Sequence, residues 1–307
     1  MKDDKKLEQA ARAAWLSYVA GRTQDEIAQE MGVSRQTAQR LVAQAMAAGL
    51  VKVRINHPLA QCLDLARQMK DRFGLRRVEV SPTPAGMQGV AMAVADLIET
   101  ELSRRDPITL AIGTGRHLRA GVAQMSRLDC PQHRIVSLTG NIAPDGSAAY
   151  YNVLFSLSEL VTARSFPLMV PVIASTADER EAIHRQPGNI RVMQMARTAD
   201  IALIGLGSMG PDAPIAKDGF LTVAEVMDRR AQGAVGEILG KAYNIQGRFL
   251  PGNERVASAE LPPLDQALII AAASGTEKID GIFGALRGQL INGLITDEAT
   301  ARALLDH

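Results

Sequence analysis

Four short segments of this 307-residue chain concentrate side chains able to hold a polar or anionic ligand. Gly113-Thr114-Gly115-Arg116-His117 follows an apolar run and opens an amphipathic one; its glycines let backbone amides approach an anion, Thr114 offers a hydroxyl and Arg116 a charge. It has neither the lysine of a P-loop nor the G-x-G-x-x-G of a dinucleotide site, so it reads as an anion or polyol loop, or as a tight turn. Ser274-Gly275-Thr276-Glu277-Lys278 has the same setting. Gly275 permits close approach to a phosphate, Thr276 can cap the helix, and Lys278 stands in its first turn. Asn141, after Leu138-Thr139-Gly140, offers both a donor and an acceptor, although Gly-Asn is also an ordinary turn dipeptide. Gly207, in Gly205-Leu206-Gly207-Ser208, allows close backbone approach to a ligand, or serves a crossover that needs small residues. Thr296-Asp297 opens one more helix, where the aspartate reads as a cap or as a direct ligand contact.

A different chemistry occupies residues 23–42. Thr23 and Glu26 form a capping box, Gly32 ends a first short helix, and Ser34 caps a second. The second helix buries Ala38, Leu41, Val42 and Ala45 and leaves Arg35, Gln36, Gln39 and Arg40 outward. Arginine and glutamine pair with guanine and adenine edges, while Ser34, Thr37 and the helix start suit phosphates. This is the layout of a helix-turn-helix reader, with Lys52 and Arg54 on a basic strand over 51–55 beside the DNA backbone. A preceding helix over Leu7–Ala20 carries Ala11, Ala14, Trp15 and Tyr18 on one side, with Trp15 expected to anchor the small core.

Beyond Asn56-His-Pro58 the pattern changes. Leu59–Phe73 reads as an amphipathic helix with Leu59, Leu63, Ala66 and Met69 on its apolar stripe, followed by short apolar strands alternating with helices. Strands are expected at 77–80, 108–112, 135–138, 168–170, 201–206, 267–272 and 292–295, with a helix over 148–163 among those between them. The uninterrupted runs Ile201–Leu206 and Ala267–Ala272 suit a sheet covered on both faces. The expected fold is therefore α/β: an N-terminal helix-turn-helix domain over 1–56, then a mostly parallel, Rossmann-like sheet domain covered by helices over 57–307. Such sheets bind ligands at the carboxyl ends of their strands, where all four segments fall.

Residues 1–60 hold nine Lys/Arg and six Asp/Glu against a whole-chain net charge of +1. So small an excess binds DNA weakly in one copy, which points to two or more copies. Cys62 and Cys130 match no metal spacing, no clustered Cys/His site occurs, and neither cofactor nor metal is expected. No apolar run is long enough to span a membrane and the start Met-Lys-Asp-Asp-Lys-Lys lacks a signal segment, so a cytoplasmic protein is expected.

Taken together, the reader at 23–55, the loop at 113–117, Ala199–Ser208, Ala234–Gly240 with Asn244–Gly247, and Ser274–Lys278 leading to Ala285–Gly288 and Asn292–Glu298 resemble the SorC-type sugar-responsive bacterial transcription regulators. The effector domain of that family resembles the sugar-phosphate isomerase and deaminase fold. The resemblance implies a pocket over the sheet for a sugar phosphate, sugar or polyol, and dimers or tetramers on operator DNA. The implied pocket draws on Gly113, Thr114, Gly115, Arg116, His117, Asn141, Gly207, Ser274, Gly275, Thr276 and Lys278. The chain departs from the family at His117, where Thr or Ser is usual, and at Ser274-Gly275, where Gly-Gly is usual. The alternative is a sugar-phosphate isomerase or deaminase carrying a DNA-binding domain, for which Asp145, His117 and Asp297 are the proton-transfer candidates.

Overall fold

The computed structural model describes residues 2–51, 60–83, 86–143, 146–147 and 153–307. The chain divides into two compact units, Met1–His57 and Pro58–His307. Lys52, Arg54, Leu59, Asp145 and residues 148–152 lie outside the described residues.

The first unit comprises α1 (Lys2–Tyr18), α2 (Gln24–Met31) and α3 (Arg35–Ala47). The local signals act as their chemistry dictates. Glu26 N–H donates to Thr23 Oγ1 while Thr23 N–H donates to the Glu26 carboxylate at 2.8 Å. Gly32 turns the chain at φ 66°, and the Thr37 amide donates to Ser34 Oγ at 3.1 Å to start α3. Ala38, Leu41, Val42 and Ala45 are buried as the spacing requires. Trp15 is not a core anchor: it is 58% exposed and Tyr18 51%, and α1 buries Ala10, Ala13, Ala14 and Leu16 instead. Two apolar stripes overlap on this helix with the same spacing. The alanine stripe faces α3 because methyl-sized side chains let the two backbones pack closely.

The second unit opens with α4 (Ala60–Phe73), which buries Ala66 and Met69 of the expected stripe together with Cys62 and Leu65 and leaves Leu63 55% exposed. There follow β1 (Arg77–Ser81), α5 (Gly86–Leu102), β2 (Thr109–Ile112), α6 (Arg116–Val122), β3 (Arg134–Ile142), α7 (Val153–Ser158) and β4 (Arg164–Pro171). Next come α8 (Ala177–His184), α9 (Pro187–Arg197), β5 (Ile201–Gly205), β6 (Gly207–Ser208), α10 (Pro214–Lys217), α11 (Val223–Ala231), β7 (Ala234–Ile238) and β8 (Lys241–Asn244). The chain finishes with β9 (Leu268–Ala272), a 3-10 turn (Thr276–Lys278), α12 (Ile279–Arg287), β10 (Gly293–Asp297) and α13 (Glu298–Asp306).

Seven strands form one parallel sheet in the order β1-β10-β9-β5-β2-β3-β4. Its central strands are apolar throughout because both faces are covered. Ala202 and Ile204 join the core on one face while Ile201 and Leu203 join the core on the other, the period-two alternation of a pleated strand. From β2 the chain runs outward through β3 and β4, then returns to lay β5 on the opposite side of β2 and continues to β9 and β10. The β2/β5 boundary is thus a topological switch point, where two loops diverge and leave a crevice. The three-stranded antiparallel sheet β6-β7-β8 was not expected from the sequence, because Gly233, Gly236 and Gly240 break any alternating signal there.

Candidate functional site

The crevice at the strand ends is a cavity of about 1070 Å³, and every residue lining it belongs to the second unit. Its walls come from the loops after β2, β5, β9 and β10, with the segment 208–220 and β7 closing the far side.

The β2 loop is placed by two close approaches. The Gly113 amide donates to Leu203 O at 2.9 Å, and a Cβ on Gly205 would stand 2.7 Å from Thr114 O. The loop therefore lies directly across the end of β5, and only glycine tolerates the contact. Thr114, Gly115, Arg116 and His117 reach the cavity wall. Gly113 does not; it is buried behind the wall, with Leu239 Cδ2 3.0 Å from where its Cβ would be.

His117 links this loop to the one after β9, its Nε2 lying 3.0 Å from Ser274 Oγ. Burial, and then the charge of Lys278, push its pKa down to about 4 against the opposing pull of Asp297, so the imidazole is neutral at physiological pH. Ser274, Gly275, Thr276 and Lys278 all line the cavity. The Gly275 amide, however, already donates to Thr300 Oγ1 at 2.9 Å, so that N–H is committed within the fold. Lys278 has its pKa lowered, first by burial, with Glu277 and Glu237 acting in the opposite direction and Arg116 adding to the depression.

The residue that motif reading passed over is Glu237, on β7. Its carboxylate accepts the Gly240 amide at 2.6 Å and lies over Gly207, where an added Cβ would come within 2.1 Å of Oε1. Gly207 thus serves the site by making room for an acid. Burial raises the Glu237 pKa, while the Gly240 amide and then Lys278 oppose the rise. The one clue in the sequence was an acid enclosed by glycines in Gly236-Glu237-Ile238-Leu239-Gly240. Asp218, just after α10, is a second acid on the wall; burial raises its pKa against the opposing field of Arg116.

Asn141 is not on the cavity wall. β3 continues past Leu138 to Ile142, so Asn141 sits within the strand, and its Nδ2 donates to Met169 Sδ at 3.3 Å. Thr139, two residues earlier, does line the cavity, with a buried hydroxyl that has no hydrogen-bond partner among the described residues. Asp297 lines it too while one of its oxygens accepts the Thr300 amide at 2.8 Å, the capping role expected of it. Six carboxylates (Asp212, Asp218, Glu237, Glu277, Asp280, Asp297) and four cations (Arg116, Lys217, Arg230, Lys278) face this space, a mixture suited to hydroxyl groups and one compact anion. Among the described residues no His/Cys/Asp/Glu cluster could hold a metal ion, and no helix is long and apolar enough to cross a membrane.

In the reader unit, Ser34, Arg35, Gln36, Gln39 and Arg40 are exposed and Thr37 is half-buried. Arg35 lies 3.5 Å from Asp25 of the preceding helix, a solvent-exposed pair.

A capped helix-turn-helix unit joined to a parallel-sheet unit, with a cavity carrying charged residues at its switch point, defines a class of ligand-responsive DNA readers. Residues 57–306 match the family described as "Putative sugar-binding domain" and residues 9–57 match the MarR family. The chain belongs to the SorC-type family of sugar-binding transcriptional regulators. It is 34% identical over 303 residues to the erythritol catabolism regulatory protein EryD of Brucella abortus, covering 96% of each chain. It is 31% identical to the transcriptional regulator LsrR of an Enterobacter species, over 97% of this chain and 93% of that one. The full-length sorbitol operon regulator SorC of Klebsiella pneumoniae superposes with a TM-score of 0.71 at 26% identity, covering 96% of this chain and 97% of SorC.

Proposed function

We propose that this protein is a DNA-binding transcriptional regulator controlled by a sugar, polyol or sugar phosphate bound in the strand-end cavity. Cavity composition carries the reading: carboxylates accept ligand hydroxyls, and Lys278 with Arg116 receives the most electron-rich end. The erythritol and sorbitol in the names of two relatives agree with a polyhydroxylated ligand. Turnover has less support, since Asp297 is engaged in capping α13 and the relatives named are regulators. Calorimetry with free and phosphorylated polyols of four to six carbons, alongside operator binding, tests this. A ligand that binds without altering operator affinity, or that is chemically converted, would overturn it.

On the DNA side, Arg35, Gln36, Gln39 and Arg40 face base edges, with Ser34 and Thr37 nearer phosphates, and two copies of the reader address an inverted repeat as part of a dimer or tetramer. Gln36→Ala is expected to cost roughly 1–3 kcal/mol on the specific duplex and little on a scrambled one. An unchanged affinity ratio would remove Gln36 from the base-reading set.

A further inference from the structure

We propose that the outer face of α1 is the surface through which one reader unit meets the reader unit of a second copy of this chain. This rests on the oligomeric reading above and names the element that serves it. Leu7, Ala11, Trp15 and Tyr18 recur at intervals of four, four and three, a single stripe along the helix. Ala14 of the buried alanine stripe borders them, and beyond it Leu7, Trp15 and Tyr18 remain 37%, 58% and 51% exposed. An apolar stripe that includes the only tryptophan of the chain is costly to leave in water.

The stripe is self-complementary. In an antiparallel pair of α1 helices centred on Ala11, Leu7 of each copy falls opposite Trp15 of the other, about 6 Å along the axis from the centre. A methyl group at the crossing lets the helices approach closely, and larger side chains fill the space on either side. Glu8 and Arg12 flank the stripe on one side. A twofold axis brings that flank against its own copy and sets Glu8 near Arg12 in both directions, the reciprocity of an isologous contact. The paired stripes would bury on the order of 600 Å², below the ~1,200 Å² of a self-sufficient interface. The contact therefore joins readers of chains already held together elsewhere and fixes the spacing of the two recognition helices.

The full-length Ala11→Cys chain tests this under mild oxidation, beside Gln9→Cys on the opposite side of α1, with sedimentation run in parallel. The native Cys62 and Cys130 are buried and unpaired. The expected result is a covalent dimer from Ala11→Cys and not from Gln9→Cys, with Trp15 emission shielded from acrylamide and deshielded by Leu7→Glu. An oligomer by sedimentation that gives no Ala11→Cys dimer overturns the α1 assignment and leaves the oligomeric reading standing. A shielded Trp15 without the crosslink overturns it likewise, because something other than a second α1 then covers the stripe. A monomer at every concentration, with and without operator, overturns both.

Discussion

Acidification should destabilise the second unit through His117 in a way that a neutral substitute abolishes. The folded imidazole is held at a pKa of about 4 by burial and by Lys278, against 6.5 for a free side chain. As pH falls, the unfolded chain takes up this proton first. The stability that the neutral ring contributes is therefore complete above pH 6.5 and is lost between about 6.5 and 4. The whole interval corresponds to about 3 kcal/mol, of which about 2 kcal/mol is gone by pH 5. His184 is also depressed by burial, so the wild-type slope alone is not diagnostic. The informative quantity is the difference between wild type and His117→Gln, in which the amide can still meet Ser274. Chemical unfolding of both at pH 7.5 and pH 5 should show wild type losing about 2 kcal/mol more. Equal losses, or an imidazole resonance for His117 that titrates near 6.5, would refute the reasoning. The same field carries a ligand consequence: an anion beside Lys278 removes part of the charge that depresses His117, so binding of a phosphorylated ligand should take up protons in this pH range.

Gly207→Ala places a methyl group on the Glu237 carboxylate and should cost about 1–3 kcal/mol in unfolding free energy through displacement of the Gly240 amide bond, together with lost effector affinity; unchanged stability and affinity would remove Glu237 from the site. Lys278→Met should lower affinity for a phosphorylated ligand more than for its free counterpart, as read by calorimetry on matched pairs. Ser34→Ala removes the acceptor for the Thr37 amide and should destabilise the reader unit by about 1 kcal/mol, seen as weaker binding to every duplex alike.

What the sequence made legible follows from how local each determinant is. The caps at Thr23 and Ser34 and the turn at Gly32 are decided within four residues, and the structure contains them as read. Strands buried on both faces announce themselves by unbroken apolar runs, hence Ile201–Gly205 and Leu268–Ala272. Trp15 was misplaced because two stripes of the same period share one helix, and periodicity does not say which stripe finds a partner. Asn141 lies off the cavity wall because β3 runs four residues past its apolar segment, which no pattern of side chains marks. Glu237 was missed for a third reason. Beside its near neighbour Gly240 it meets Gly207, which reaches it only when β7 pairs with β6, and the charge of Lys278 from a third stretch of the chain.

The same assembly explains why the cavity suits a switch. His117 and Ser274 join the β2 loop to the β9 loop, Gly275 and Thr300 join the β9 loop to α13, and the β6–β7 pairing sets Glu237 opposite Gly207, just after β5. A ligand bound there as proposed would touch segments that the sheet holds on opposite sides of its switch point, and its binding energy would depend on how far apart they stand. A ligand changes operator affinity only by preferring one arrangement of the protein to another. A ligand site whose walls come from several separately anchored loops would supply that preference, because a small shift of one loop would alter several ligand contacts together.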